Sequence, residues 1–132
     1  ATLDELYADA DFITLHTVVT PETTGMLNKA AFDKMKAGVR IINAARGVLI
    51  NEADLADALK NGKVAGAALD VFSSEPPTGN PLISLKNVVH TPHLAASTKE
   101  AQAACGYEAA EVIIQYLLKD TPKNVTNRDV LE

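Results

Sequence analysis

Hydrophobic positions along the chain fall into two rhythms. Four short runs are nearly continuous in apolar residues and end in polar or turn-forming ones: Phe12-Ile13-Thr14-Leu15-His16, Val39-Arg40-Ile41-Ile42-Asn43, Ala65-Gly66-Ala67-Ala68-Leu69 and Asn87-Val88-Val89-His90. Their length and β-branched content predict strands. Between the runs the apolar spacing changes to three and four. Asn51 stands as an N-cap, Asp54 follows three residues on, Leu55 and Leu59 share one face, and Gly62 marks a stop, a combination that predicts a helix. A shorter helix is predicted to begin near Asn28 and to carry Ala31, Phe32 and Met35 on one side. From about Thr98 to Leu118, Cys105, Ala109, Val112, Ile113, Tyr116 and Leu117 recur at helical steps, which predicts a long helix with one continuous buried stripe.

Strands that alternate with helices, and that are apolar on both sides, predict an α/β fold: a parallel sheet of about four strands with helices on both faces. There is no internal repeat, low-complexity tract or linker. Pro76-Pro77-Thr78-Gly79-Asn80-Pro81 reads as an irregular loop, and residues 119–132 read as an exit segment.

Composition narrows the class. The 132 residues, 47% hydrophobic, suit one soluble domain. Twelve Lys and Arg against seventeen Asp and Glu leave a charge of -5, spread along the chain, which argues against a nucleic-acid or anionic-membrane surface. The single cysteine, Cys105, has no partner for a disulfide and suits a reducing cytoplasm. No stretch reaches the roughly 20 apolar residues that span a bilayer, and Ala1 to Leu6 have neither a basic region nor an apolar signal core. A soluble, cytoplasmic protein is expected.

Ligands of an open parallel sheet bind outside the carboxyl ends of its strands. Behind the four predicted strands come His16-Thr17, Ala44-Ala45-Arg46-Gly47, Asp70 to Glu75, and Thr91-Pro92-His93. Oxidation of a hydroxyl with loss of hydride needs a base, a cation for a substrate carboxylate, and a group that fixes the protonation of the base. His93, Arg46 and Glu75 are of the right types. Asp70 could accept a hydrogen bond from a carboxamide. Plainer readings stand beside these: Arg46 as a solvated turn residue, Glu75 as loop charge, Asp70 as the cap of a turn, and His16 and His90 as half-buried strand-end histidines. There is no Gly-x-Ser-x-Gly turn, no Walker loop and no pair of His or Cys at metal-ligand spacing.

Three long segments, Ile42 to Glu52 (INAARGVLINE), Gly66 to Pro77 (GAALDVFSSEPP) and Thr91 to Thr98 (TPHLAAST), resemble in order the signature segments of the D-isomer-specific 2-hydroxyacid dehydrogenases. Ser97-Thr98-Lys99-Glu100-Ala101-Gln102 is similar to the phosphoglycerate dehydrogenase branch, with glyoxylate and hydroxypyruvate reductases as near relatives. The resemblance implies a partial Rossmann-like sheet, with residues 1–118 as the later half of an NAD-binding domain and 119–132 leading towards a substrate domain. It implies that Arg46 holds the substrate carboxylate, that Glu75 and His93 form the acid/base pair, and that Thr17, Val18, Ala44, Ala45, Arg46, Asp70, His93 and Ala95 lie against NAD. Implied partners are a small 2-hydroxy acid, 3-phosphoglycerate first among them, and further copies of the chain in a homo-oligomer; neither nucleic acid, membrane nor metal is implied.

The match has departures. Val18 and Val19 stand where the family has a proline-containing turn, and Ala95 replaces a glycine. No Gly-x-Gly-x-x-Gly occurs, so the pyrophosphate-binding loop is expected to lie outside this sequence, and the isolated chain is expected to be inactive and to bind the dinucleotide weakly. Two other readings compete with catalysis: a corepressor-type relative that uses the fold for protein contacts, and an autonomous flavodoxin-like module.

Overall fold

The computed structural model describes residues 1–127 and 129. They divide into two units, residues 1–95 and the described residues from 96 onward. The exit segment read at 119–132 falls partly on residues 128 and 130–132, which lie outside the described residues.

In the first unit, four strands form a parallel sheet in chain order: β1 (Phe12–Leu15), β2 (Val39–Asn43), β3 (Val64–Leu69) and β4 (Val88–His90). All four follow the apolar runs to within a residue at either end. Register places Ile13, Ile41, Ala67 and Val88 in one row and Leu15, Asn43, Leu69 and His90 in the next. These rows share the face on which the core lies, because alternate strand residues point to opposite sides.

The helices of this unit are α1 (Leu3–Asp9), α2 (Lys29–Lys34) and α3 (Glu52–Lys60). Their buried residues, Tyr7, Ala31, Phe32, Leu55, Ala56, Ala58 and Leu59, join Ile13, Leu15, Val39, Ile41, Val64, Ala67 and Leu69 in one core. The opposite sheet face carries Phe12 and Val89, both exposed. Arg40 lies over the Phe12 ring at 5.3 Å, which shields part of this apolar surface with a cation.

Side-chain caps set the helix starts. The Asn51 carboxamide accepts the Asp54 N–H at 3.1 Å, as the N-cap reading required, and that of Asn28 accepts the Ala31 N–H at 3.1 Å at the start read for the shorter helix. Past α3, Gly62 turns with φ 79°. The sequence reading passed over α1, although its signal was present. Thr2 Oγ1 accepts the Glu5 N–H and Glu5 Oε2 accepts the Thr2 N–H, a reciprocal capping box.

In the second unit, α4 (Lys99–Lys119) begins at its cap Thr98, close to the predicted start, and ends at Asp120 in the left-handed region. The continuous buried stripe expected of it is not found: α4 has no buried residue, and Ile113, Leu117 and Cys105 are exposed. Helical periodicity places apolar side chains on a common face but says nothing of what covers it. Within this unit a shallow groove lies between this face and Pro122, Lys123 and Val125. Among the described residues, no helix is long and apolar enough to cross a membrane.

Candidate functional site

The row Leu15, Asn43, Leu69 and His90 ends all four strands at one level. The segments leaving the strands therefore meet along one edge of the sheet: Thr17 after β1, Ala44 to Arg46 after β2, Asp70 after β3 and Thr91 to His93 after β4. The site is built on these four exits.

Asp70 is the hub. Its Oδ1 accepts the Thr91 hydroxyl and the Leu94 N–H, its Oδ2 accepts the Ala95 N–H, and its backbone carbonyl accepts the His93 N–H at 2.9 Å. Partial burial pushes the carboxyl up. The hydroxyl, the two N–H groups and nearby His93 outweigh that effect and hold Asp70 below the usual aspartate range. In this arrangement Asp70 performs the turn-capping role and shapes the loop that presents His93.

His93 has φ 58°, a left-handed conformation uncommon outside glycine and typical of residues that surrounding contacts hold in place. Its Nδ1 lies 2.8 Å from Glu75 Oε2. The other Glu75 oxygen accepts the Phe72 N–H at 3.1 Å. The bond to His93 first, and that from Phe72 second, hold the Glu75 carboxyl below its ordinary range. A carboxylate on Nδ1 orients the ring and leaves Nε2 as the exchangeable position.

Arg46 stands apart from the other two catalytic candidates. Its side chain is exposed, and Nη1 donates to the Ala45 carbonyl at 2.6 Å. It does not line the cavity beside Glu75 and His93. Its backbone, by contrast, is firmly placed. Asn43, 1% exposed, donates from Nδ2 to the Arg46 carbonyl and accepts the Ala45 N–H on Oδ1. Gly47 lies so close to the Phe72–Ser73 peptide that a Cβ would meet the Phe72 carbonyl carbon at 1.9 Å, so the Arg46 and Glu75 loops touch through backbone. The sequence reading missed both Asn43 and Gly47 as site-builders. A polar residue closing an apolar strand and a glycine after the arginine were the available signals.

Two cavities open on this edge. One, of about 220 Å³, is lined by Asp70, Phe72, Glu75, Pro77, Thr91 and His93. The other, of about 170 Å³, has Ile42, Ala44, Ala68 and Val89 among its walls. Asp70 and Thr91 line both. The second cavity has small apolar walls, with polar groups at the shared side.

Of the other cofactor candidates, Ala44 lines the second cavity and Ala95 binds Asp70. Ala45 is half-buried against the core. Thr17 and Val18 lie after β1, where the exposed Val18 accepts the Thr23 hydroxyl on its carbonyl. His16 and His90, read as half-buried, are both exposed. The reason is their place at edge strands: His16 bonds Thr14 on the open side of β1, and His90 meets Phe72 edge-on at 6.3 Å. Among the described residues no cluster could hold a metal ion.

Residues 1–95 match the family described as D-isomer specific 2-hydroxyacid dehydrogenase, NAD binding domain. The D-3-phosphoglycerate dehydrogenase of Bacillus subtilis is 53% identical over 115 residues, 87% of this chain and 22% of that protein. The protein of the same name from Archaeoglobus fulgidus is 50% identical over 131 residues, covering 98% of this chain and 25% of its own length. The chain thus spans about a quarter of these relatives. Among solved structures, a glyoxylate reductase from Paecilomyes thermophila superposes with a TM-score of 0.88 at 32% identity, covering 93% of this chain and 38% of that one. A D-isomer specific 2-hydroxyacid dehydrogenase from Xanthobacter autotrophicus, in complex with NADPH and MES, gives 0.81 at 36% identity, with 96% and 52% covered. The chain belongs to the D-isomer-specific 2-hydroxyacid dehydrogenases and contains nicotinamide-cofactor-binding domain sequence of that family.

Proposed function

We propose that this chain supplies the acid/base machinery of an NAD-dependent dehydrogenase that oxidises the hydroxyl of a D-2-hydroxy acid, with 3-phosphoglycerate as the substrate. The observation that carries the reading is the Glu75–His93 contact of 2.8 Å, beside a cavity of suitable size at the sheet edge. The names of the two curated relatives support the choice of substrate, and the family description supports NAD.

His93 Nε2 takes the proton of the substrate hydroxyl, and the Glu75 carboxylate stabilises the imidazolium that results. The carbinol carbon loses hydride as the C–O bond becomes a carbonyl, and in the reverse direction His93 returns the proton. A nicotinamide ring, when bound, would supply the acceptor for that hydride. Ala44, Ala68, Asp70 and Thr91 would hold it, and Ala45, Ala95, Thr17 and Val18 would line the remaining contact. Arg46 exchanges its Ala45 carbonyl for the substrate carboxylate, which makes a stronger, charge-assisted pair. Residues 1–118 would then be the later half of the cofactor domain and 119–132 its way out.

The test is the enzyme that contains this chain, assayed for hydride transfer from D-3-phosphoglycerate to NAD. His93→Asn, which removes the base and keeps the size of the side chain, is expected to lower kcat by about 10²- to 10⁴-fold. Unchanged turnover in the folded variant would overturn the reading.

A further inference from the structure

The acid/base pair depends on where the Glu75 segment is held, and that segment has little structure of its own. Residues 73–80 contain two short internal bonds, from Thr78 N–H to the Pro76 carbonyl and from Asn80 N–H to the Pro77 carbonyl. Such turns shape a loop without attaching it to anything. Glu75 bonds Phe72 and His93, and Asn80 accepts from Leu82 and Ile83; three further bonds tie the segment to α3, and those all end on one carboxylate. Glu52 Oε1 accepts the Ser73 N–H at 2.7 Å, while Oε2 accepts the Ser73 hydroxyl at 2.8 Å and Asn80 Nδ2 at 2.7 Å. Among the described residues these are the hydrogen bonds that join the segment to α3.

We infer that Glu52 is a positioning residue for Glu75, its carboxylate clamping both ends of the segment that brings Glu75 to His93. The inference rests on the reading of Glu75 and His93 as the acid/base pair. Ser73 lies two residues before Glu75 and Asn80 five after it, so a single half-buried side chain fixes the loop on either side of the catalytic candidate. At the near end, the Gly47 contact with the Phe72–Ser73 peptide holds the same backbone from a second direction. Phe72 in turn donates its N–H to Glu75. The chain of constraint runs from Glu52 through Ser73 to the orientation of the Glu75 carboxylate.

The geometry also says why this position calls for a carboxylate. The Asn80 Oδ1 accepts the Leu82 N–H at 3.0 Å, which fixes the amide so that its Nδ2 points at Glu52. Ser73 N–H meets one Glu52 oxygen and Asn80 Nδ2 the other. Both oxygens must therefore accept, and a glutamine in either orientation sets its own N–H₂ against a donor. Glu52→Gln is nearly isosteric but breaks the clamp at one end.

The experiment monitors the side-chain carboxyl carbons of Glu75 and Asp70 by NMR during a pH titration of the chain, unmodified and as Glu52→Gln and Glu52→Ala. The titratable groups facing Glu75 are His93 and Asp70. Expected is an upward shift of the Glu75 midpoint towards ordinary glutamate in both variants, with Asp70 still depressed because Thr91, Leu94 and Ala95 continue to hold it. A Glu75 midpoint unchanged in folded Glu52→Gln would overturn the inference. So would a rise of Asp70 together with Glu75, or loss of the fold in both variants, since either makes Glu52 a residue of general structure. The readout requires neither cofactor nor turnover. Failure here leaves the dehydrogenase reading standing, and an active His93→Asn enzyme would remove that reading without touching the clamp.

Discussion

Asn43, Gly47, Asp70 and Glu75 shape the edge of the sheet. Asn43 is buried with both ends of its amide engaged, so Asn43→Ala strands the Ala45 N–H and the Arg46 carbonyl and should cost about 1–3 kcal/mol in chemical denaturation. Gly47→Ala should be worse than an ordinary overpacking change of about 1–3 kcal/mol, because the obstructing atoms are backbone. A shift of the Arg46 and Glu75 loops, seen as amide chemical-shift changes around Phe72, is the expected accompaniment. Acid acts on the two depressed carboxyls. Asp70 and Glu75 have ordinary values of 3.8 and 4.5 and lower ones in the fold. Their contribution to stability is therefore complete above those ordinary values and is lost as pH falls from them through the lower folded values. Glu75→Gln should flatten the acid limb of a denaturation-midpoint-versus-pH curve, and an unchanged limb would show that Glu75 gains nothing on folding. Arg46, Glu75 and His93 were recognisable as types and by motif. The resemblance also paired Glu75 with His93, but spacing alone did not, since they are separated by eighteen residues and meet because β3 and β4 end at the same level.

Elements differ in how far local sequence specifies them. The caps of α2, α3 and α4 are short-range bonds, so Asn28, Asn51 and Thr98 marked their starts correctly. The strands followed their apolar runs for the same reason: each is bounded by its own turn chemistry. Burial is a different matter, and α3 and α4 make the contrast measurable. Leu55, 0% exposed in α3, should cost about 2–5 kcal/mol when changed to Ala. Leu117, 72% exposed in α4, should change stability by no more than about 0.5 kcal/mol when changed to Gln. Both residues recur at helical steps with apolar neighbours, and thermal denaturation of the two variants separates them.

At the scale of the molecule, β1 and β4 are the outer strands of the sheet, and each carries a large exposed hydrophobic residue on the open face, Phe12 and Val89. Unpaired strand edges beside apolar surface template association. The chain should self-associate with increasing concentration in light scattering, and Val89→Lys should reduce it; a monomer at all concentrations would count against the idea. Cofactor affinity belongs to this scale as well. With no Gly-x-Gly-x-x-Gly in the sequence, a calorimetric titration with NAD should show weak binding, because a bound pyrophosphate draws much of its hold from such a loop and the helix behind it.

The features that the sequence determined by itself were local or written in long motifs: the four strands, the caps, the class of fold and the family. Tertiary structure decided the contacts that no motif had named. The parallel register brings four strand exits to one edge, Asp70 turns inward to hold the His93 loop, and Glu52 reaches across to the segment of Glu75. These contacts join residues about twenty positions apart, and no periodicity along a chain encodes a distance between two of its loops. It is set when the strands pair and the helices close on the core, where packing permits only one relative placement.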